Sequence, residues 1–232
     1  MINGKSILSI IPARGGSKGI PRKNLKTIAG KPLIAWTIEE AKKSRYIDRT
    51  IISSEDEEII EVAKEYGGEV PFIRPKELAQ DDTPGIEPVI HVVIELKEEY
   101  DYVCLLQPTS PLRKVVDIDG CIQKCVFNNV MSCVSVSEVD KHPYWMYKLG
   151  KYDRLVPLFK GKYVTRRQDL PKIYALNGAI YMINSHQILQ MKKIVTDETL
   201  CHVMDKTSSV DIDTNDDFDI AEYFLNKRMT NG

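Results

Sequence analysis

Glycines and cations crowd one short stretch, Ile10–Asn24, which reads IIPARGGSKGIPRKN. Gly15, Gly16 and Gly19 would let backbone N–H groups curl around an anion, and Arg14, Lys18, Arg22 and Lys23 could offset several phosphate charges. The stretch follows an apolar run, Ser6–Pro12, and open α/β sheets bind their ligands just past the carboxyl ends of such strands. A solvated basic turn would have the same composition. The loop is not of the Walker kind, because Gly4-Lys5-Ser6 lacks the first glycine and precedes the apolar run. Nor is it GxGxxG, since Ser17 fills the place of the middle glycine.

Near the other end of the chain, Asp211 and Asp213 flank Ile212 in VDIDT. Alternate residues of an extended chain point the same way, so both carboxylates can face one cation. Two hard oxygen ligands beside a triphosphate are the pattern that suits Mg²⁺. Asp216 and Asp217 are better placed to cap the helix that follows. Gln107, in a prolyl turn after a second apolar run, could hold a sugar hydroxyl or could simply shape the turn. Cys121 and Cys125 lie one helical turn apart with no second pair to complete a zinc site. The four histidines are scattered and none is spaced with a nucleophile and an acid.

These groups need a frame. Ser6–Pro12 is an apolar run interrupted by Ser9, as a strand buried on both faces would be. Helical spacing predicts a helix from Pro32 to about Ser44, with Pro32 at its first position. Thr50–Ser53 reads as a strand, Ser54 and Glu57 as a capping box for a helix ending near Tyr66, and Val70–Ile73 as another strand. Arg74–Pro84 is a loop, Val89–Leu96 marks a helix and Tyr102–Leu106 a strand. Asp117 could cap a helix through Asn128, and Ser132–Val139 alternates as a strand. The βαβα order predicts a layered α/β fold with a largely parallel sheet. From Asp140 the composition shifts to Tyr, Pro, Lys and Gly, an excursion carrying a hairpin. Ala179–Ile183 then returns as a strand and Asp216–Asn226 closes the chain as a helix.

Composition bounds the reading. At 232 residues with 43% hydrophobic content the chain suits one domain with a small arm. Lys+Arg 32 against Asp+Glu 33 gives no basic surplus for nucleic acid or an acidic membrane, so anion binding must be local. The N-terminal apolar run is too short for a membrane span or a signal segment. Five cysteines without scaffold spacing suggest buried thiols and a cytoplasmic protein.

The loop after the first apolar run resembles the signature loop of the CMP-sialic acid synthetases, the acylneuraminate cytidylyltransferases. Further matches follow in order: RPKELAQDDT at 74–83, LLQPTSPLR at 105–113, RRQDLPKIYALNGAIY at 166–181 and DIDTNDDF at 211–218. Together they span most of the chain. The resemblance implies a Rossmann-like nucleotidyltransferase of the nucleotide-diphospho-sugar transferase type. Its catalytic domain would comprise residues 1–139 and 173–232, with 140–172 a protruding dimerisation arm. It implies CTP on Arg14, Gly15, Gly16, Ser17, Lys18, Lys23 and Asn24, with the cytosine edge read by Arg74 and by Thr83, where the family often has Ser. For the acceptor sugar it implies Gln107, Lys141, Arg167 and Tyr181, with Asn177 and Gly178 shaping the turn that presents them. Arg suits an acceptor bearing a carboxylate beside its anomeric carbon.

The expected reaction joins CTP to a nine-carbon 2-keto acid sugar, giving a CMP-sugar and pyrophosphate. Arg14, Lys23, Asp211 and Asp213 would carry the catalysis, with Mg²⁺ on the two aspartates and a homodimer as the working form. The acceptor would be an N-acylneuraminate or a legionaminic acid relative, with pseudaminic acid as the alternative. Two other classes stay open, an NAD-binding oxidoreductase and a silent nucleotide-sugar-binding module.

Overall fold

The computed structural model describes residues 1–159 and 166–230, and of Arg167 the backbone alone. The first strand, β1 (Ile7–Pro12), is buried on both faces as its apolar run requires. A two-residue hairpin, β2 (Thr27–Ile28) and β3 (Lys31–Pro32), precedes helix α1 (Leu33–Lys42). Pro32 therefore stands just outside the helix rather than at its first position. Strand β4 (Arg49–Ser53) leads into α2 (Glu57–Glu65), whose cap is Asp56, accepting from the Ile59 N–H, and not Ser54. The Ser54 hydroxyl instead accepts from the Asp56 N–H.

Val70–Ile73 is not a strand. Only Glu69 bridges to Ile51, and Pro71 removes a donor that a ladder would need. After α3 (Glu87–Glu95), β5 (Tyr102–Leu106) is fully buried, and α4 (Val115–Phe127) follows. Asp117 sits inside that helix and reaches back to the Lys114 N–H, 3.2 Å away, so Lys114 holds the cap position. Strand β6 (Ser132–Glu138) ends where the chain leaves the sheet. The excursion carries the hairpin β7 (Tyr147–Leu149) and β8 (Leu155–Pro157). The chain returns on β9 (Tyr174–Asn184), longer than the expected Ala179–Ile183, and continues through α5 (Ser185–Met191) and β10 (Leu200–Val203) to α6 (Asn215–Thr230). Neither α5 nor β10 stands out in the sequence.

The sheet order is β10-β6-β9-β5-β1-β4. β1 is parallel to β4 and β5, and β10 to β6, whereas β9 is antiparallel to both its neighbours. The sheet is thus mostly parallel with one reversed strand in its interior. Ile7, Ile11, Cys104 and Leu106 belong to an apolar cluster that includes residues of α1, α2 and α4. Leu8, Ile10, Val103 and Leu105 belong to another, with residues of α3 and α5. Cys104, Cys121, Cys125 and Cys133 are buried and Cys201 is exposed. Burial pushes the Cys104 thiol up to about 12, so it is inert at neutral pH.

A third cluster decides where the site lies. It joins Ile20 of the glycine-rich loop, Ile28, Leu33, Leu112, Ile212 and the inner face of α6. Ile20 and Ile212 are 1% and 0% exposed. The apolar residue between the two aspartates is therefore the peg that fastens the acidic segment to the loop near the start of the chain.

Candidate active site

The glycine-rich loop leaves β1 at the carboxyl edge of the sheet, and the acidic segment is bound to the turn after β5 on that same edge. The Ile212 N–H donates to the Thr109 carbonyl at 2.9 Å. With Ile212 turned into the core, Asp213 is left in solvent and Asp211 half-buried. Lys23 closes the gap: its ammonium donates to the Ile212 carbonyl and lies 3.4 Å from Asp213 Oδ1. Gly19 is packed under the same segment, where a Cβ would stand 2.2 Å from the Asp213 carbonyl oxygen. The cations of one end and the acids of the other thus meet at a single edge.

A cleft of about 280 Å³ opens beside this junction. Arg14, Ser17, Lys23, Asn24, Arg74, Thr83 and Gln107 all line it. The Asn24 amide donates to the Arg14 carbonyl at 3.0 Å and so shapes the loop. Asp81 was not singled out in the sequence, yet its carboxylate lies 2.9 Å from both the Arg14 guanidinium and the Lys18 ammonium. Lys18 first, then Arg14, holds the Asp81 carboxyl below the usual range. Arg14 also donates to the Gln80 carbonyl at 3.0 Å. The 79–81 backbone is drawn across the cations, as an anion would be.

Glu55 is a second unforeseen member. One of its oxygens accepts from the Gly15 N–H at 2.8 Å and the other from Arg74 Nη2 at 2.5 Å. Arg74 is 3% exposed, donates also to the Ala13 carbonyl, and has an Nε with no partner among the described residues. The Thr83 hydroxyl donates to the Glu77 carbonyl at 3.1 Å, which leaves its lone pairs for a ligand. Gly16 has open space around its α-carbon.

On the other side of Gln107 lies a second cavity of about 380 Å³, lined by Ile86, Tyr181, Lys192, Ile194 and Val195. Gln107 and Leu105 belong to both cavities. Tyr181 comes from the reversed strand, where its register opposite Leu105 sets it beside the end of β5. Burial raises the Tyr181 hydroxyl above its ordinary value, and the Asp211 charge acts the same way. The Gly178 α-carbon faces the Gln107 amide and the Asp211 carboxylate, with a φ of 74° that disfavours a side chain.

The other expected acceptor residues stand differently. The Asn177 amide is spent inside the protein: it donates to Ser209 Oγ at 2.9 Å and accepts from Ser135 Oγ at 2.6 Å. It holds the bend in β9 rather than facing either cavity. Lys141 is exposed at the start of the excursion and lines neither cavity. Arg167 lies in a short 3₁₀ turn, Arg167–Asp169, and its side chain is outside the described residues.

Asp211 is the group whose environment suits a cation. Burial holds its carboxyl above the usual range; the Thr109 hydroxyl and Lys23 oppose this, and Asp213 reinforces it. Its Oδ1 is buried with no hydrogen-bond partner among the described residues. A buried carboxylate oxygen left unsatisfied beside a second, exposed carboxylate fits one Mg²⁺ that would take its remaining ligands from phosphate and water. Among the described residues no group of three or more acidic, His or Cys side chains could hold a metal by itself, so substrate oxygens would have to complete the shell.

A family model described as "Cytidylyltransferase" matches residues 8–227. The pseudaminic acid cytidylyltransferase of Campylobacter jejuni is 36% identical over 218 residues, which is 93% of this chain and 94% of that protein. The CMP-N,N'-diacetyllegionaminic acid synthase of Legionella pneumophila is 36% identical over 225 residues, 94% of this chain and 96% of the relative. Among solved structures, a CMP:2-keto-3-deoxy-manno-octonic acid synthetase complexed with CTP superposes with a TM-score of 0.73 over 96% of this chain and 99% of its own. At 15% identity that likeness concerns the fold alone.

Proposed function

The chain belongs to the cytidylyltransferase family, and we propose that it couples CTP to a nonulosonic acid, a nine-carbon 2-keto acid sugar, releasing pyrophosphate. The observation that carries this reading is the junction at Lys23, a residue lining the cleft, which ties the glycine-rich loop to the acidic segment at Ile212 and Asp213.

In this reading Arg14, Lys18 and Lys23 neutralise the triphosphate, and the N–H groups of Gly16 and Ser17 wrap it, while that of Gly15, expected to join them, is held by Glu55. Arg74 and Thr83 read the cytosine edge from the far end of the cleft. Gln107 and Tyr181 face the acceptor from the second cavity, beside the bend at Asn177–Gly178, and Arg167 is the expected partner of the acceptor carboxylate. The anomeric hydroxyl attacks the α-phosphorus in line and the bond to the β-phosphate oxygen breaks. Positioning and charge neutralisation supply the rate, with no enzyme-bound intermediate. Asp211 and Asp213 would hold Mg²⁺, which when bound stabilises the charge developing on phosphate oxygens.

We further propose that residues 140–172 form the arm of a homodimer. Leu149, Tyr152 and Leu155 on its hairpin are 75%, 90% and 64% exposed, more apolar surface than a solvated hairpin needs. A second copy of the chain fits that surface, and sedimentation as a monomer at micromolar concentration would remove the proposal. A cytoplasmic site of action belongs to the same reading, since buried free thiols suit a reducing compartment.

The test is pyrophosphate release with CTP and Mg²⁺ across N-acetylneuraminic, diacetyllegionaminic and pseudaminic acids. The two relatives named above act, by their names, on different acids at the same 36% identity, so the panel and not the identity selects the acceptor. Turnover with one of the three is expected. Failure with all three, in protein that binds CTP, removes the acceptor class. Asp213→Asn should lower turnover about 100-fold or more while leaving CTP affinity within a few fold.

A further inference from the structure

Arg113 is the largest side chain among the fully buried residues, 1% exposed, and its hydrogen bonds among the described residues all go to uncharged oxygens. Burial pushes its guanidinium down to about 10, with Cys104, Glu40 and Asp117 acting weakly the other way. A buried cation without a partner charge is costly, and an apolar side chain of similar size would fill the same space without that cost. Whatever offsets that cost is something only a guanidinium supplies.

Its contacts show what that is. The β5–β9 ladder ends at Leu106 and Ile180, and the next pair in register would be Gln107 with Ala179. There the ladder is replaced by Arg113: Nη1 donates to the Gln107 carbonyl at 3.1 Å and to the Ala179 carbonyl at 2.7 Å. From the other prong, Nη2 donates to the Thr37 hydroxyl on α1 at 2.8 Å. The strand end, the bend at Gly178 and a helix are pinned by one planar fork. On the open side of that fork, Gly178 faces both the Gln107 amide oxygen and the Asp211 carboxylate.

We propose that Arg113 is a positioning residue which, by splitting the end of the β5–β9 ladder, sets the spacing between the Gln107 amide and the Asp211 carboxylate and so aligns the acceptor with the nucleotide. The proposal rests on Gln107 facing the acceptor. It leaves CTP binding to the loop on the other side of Gln107, which Arg113 does not touch. A lysine in its place has one ammonium and cannot span acceptors on three elements.

The experiment compares Arg113→Lys, Thr37→Val and Gln107→Ala with the parent chain. Each is read by CTP affinity from calorimetry without acceptor, by kcat and acceptor KM with the best acid of the panel, and by thermal melting. Arg113→Lys is expected to keep CTP affinity within about threefold while kcat falls about 30-fold or more and acceptor KM rises. Thr37→Val, which touches neither cavity, should move kcat the same way by a few fold. If Arg113→Lys melts lower yet keeps kcat and acceptor KM, or loses CTP affinity by the same factor as turnover, the proposal is overturned. Gln107→Ala separates the two readings. Normal kinetics in that variant remove Gln107 from the acceptor site, whereas an impaired Gln107→Ala beside a normal Arg113→Lys removes Arg113 alone.

Discussion

The α-carbon of Gly19 lies beneath the main-chain carbonyl of Asp213, so near that no side chain can stand between them. The contact is backbone against backbone, which cannot swing aside as the tip of a long side chain would. Gly19→Ala must therefore push the glycine-rich loop and the acidic segment apart by about 1 Å, and a misplacement of that size costs about 100-fold in rate. Steady-state kinetics should show that loss in protein with an unchanged circular dichroism spectrum. Full activity in the alanine variant would mean that the junction does not set the chemistry.

In the proposed reading, Asp81 competes with the nucleotide for Arg14 and Lys18. Its pairs with Arg14 and Lys18 are exposed to solvent, where screening leaves such pairs weak. Asp81→Asn should accordingly tighten CTP binding by up to about fivefold and no more. Calorimetry at low salt is the measurement. Weaker binding in the variant would show instead that Asp81 shapes the cleft.

Glu55 joins the phosphate side of the cleft to its far end, through the Gly15 N–H and the buried Arg74. Glu55→Gln keeps an acceptor for the N–H but leaves a guanidinium at 3% exposure without its counter-charge. Breaking a buried pair from one side costs about 3–5 kcal/mol. The expected outcome is a markedly lower melting temperature and weaker CTP binding, with acceptor KM unchanged when CTP is saturating.

Asp101 supplies a pH-dependent tie at the opposite edge of the sheet. Burial alone would raise its carboxyl, but Lys5 Nζ at 2.8 Å and the Ser6 N–H and hydroxyl at 2.9 and 3.1 Å outweigh that and hold it low. A carboxyl depressed by folding stabilises the protein above the unfolded value near 4 and loses that contribution as the pH falls through its folded value. Asp101→Asn should thus lower stability by about 1–2 kcal/mol at pH 7. The gap should narrow in melts below pH 4, and a constant gap would refute the linkage.

Much of the site is written locally. β1, apolar but for Ser9, and β5, apolar throughout, both emerge with bounds within a residue of the expected ones because burial on two faces admits little else. The glycine-rich loop and the Asp-Ile-Asp alternation are equally local, and the same alternation seats Ile212 in the core. What the chain does not display are partnerships across long separations. Glu55 meets residues 40 and 19 positions away, and Arg113 closes a ladder against residue 179. Its place in LLQPTSPLR looks like that of an ordinary surface cation after a proline turn. The reversal of β9 was also hidden, because an apolar strand reads alike in both directions and only its neighbours decide which it takes. Val70–Ile73 misled for the opposite reason: its residues favour a strand, yet Pro71 interrupts them and Ile73 is left 63% exposed.

Lys23 and Asp213 are 190 positions apart in the chain. A contact that closes so long a loop can form only once the intervening strands have brought its two ends to one edge, so this junction is expected among the last parts of the molecule to assemble.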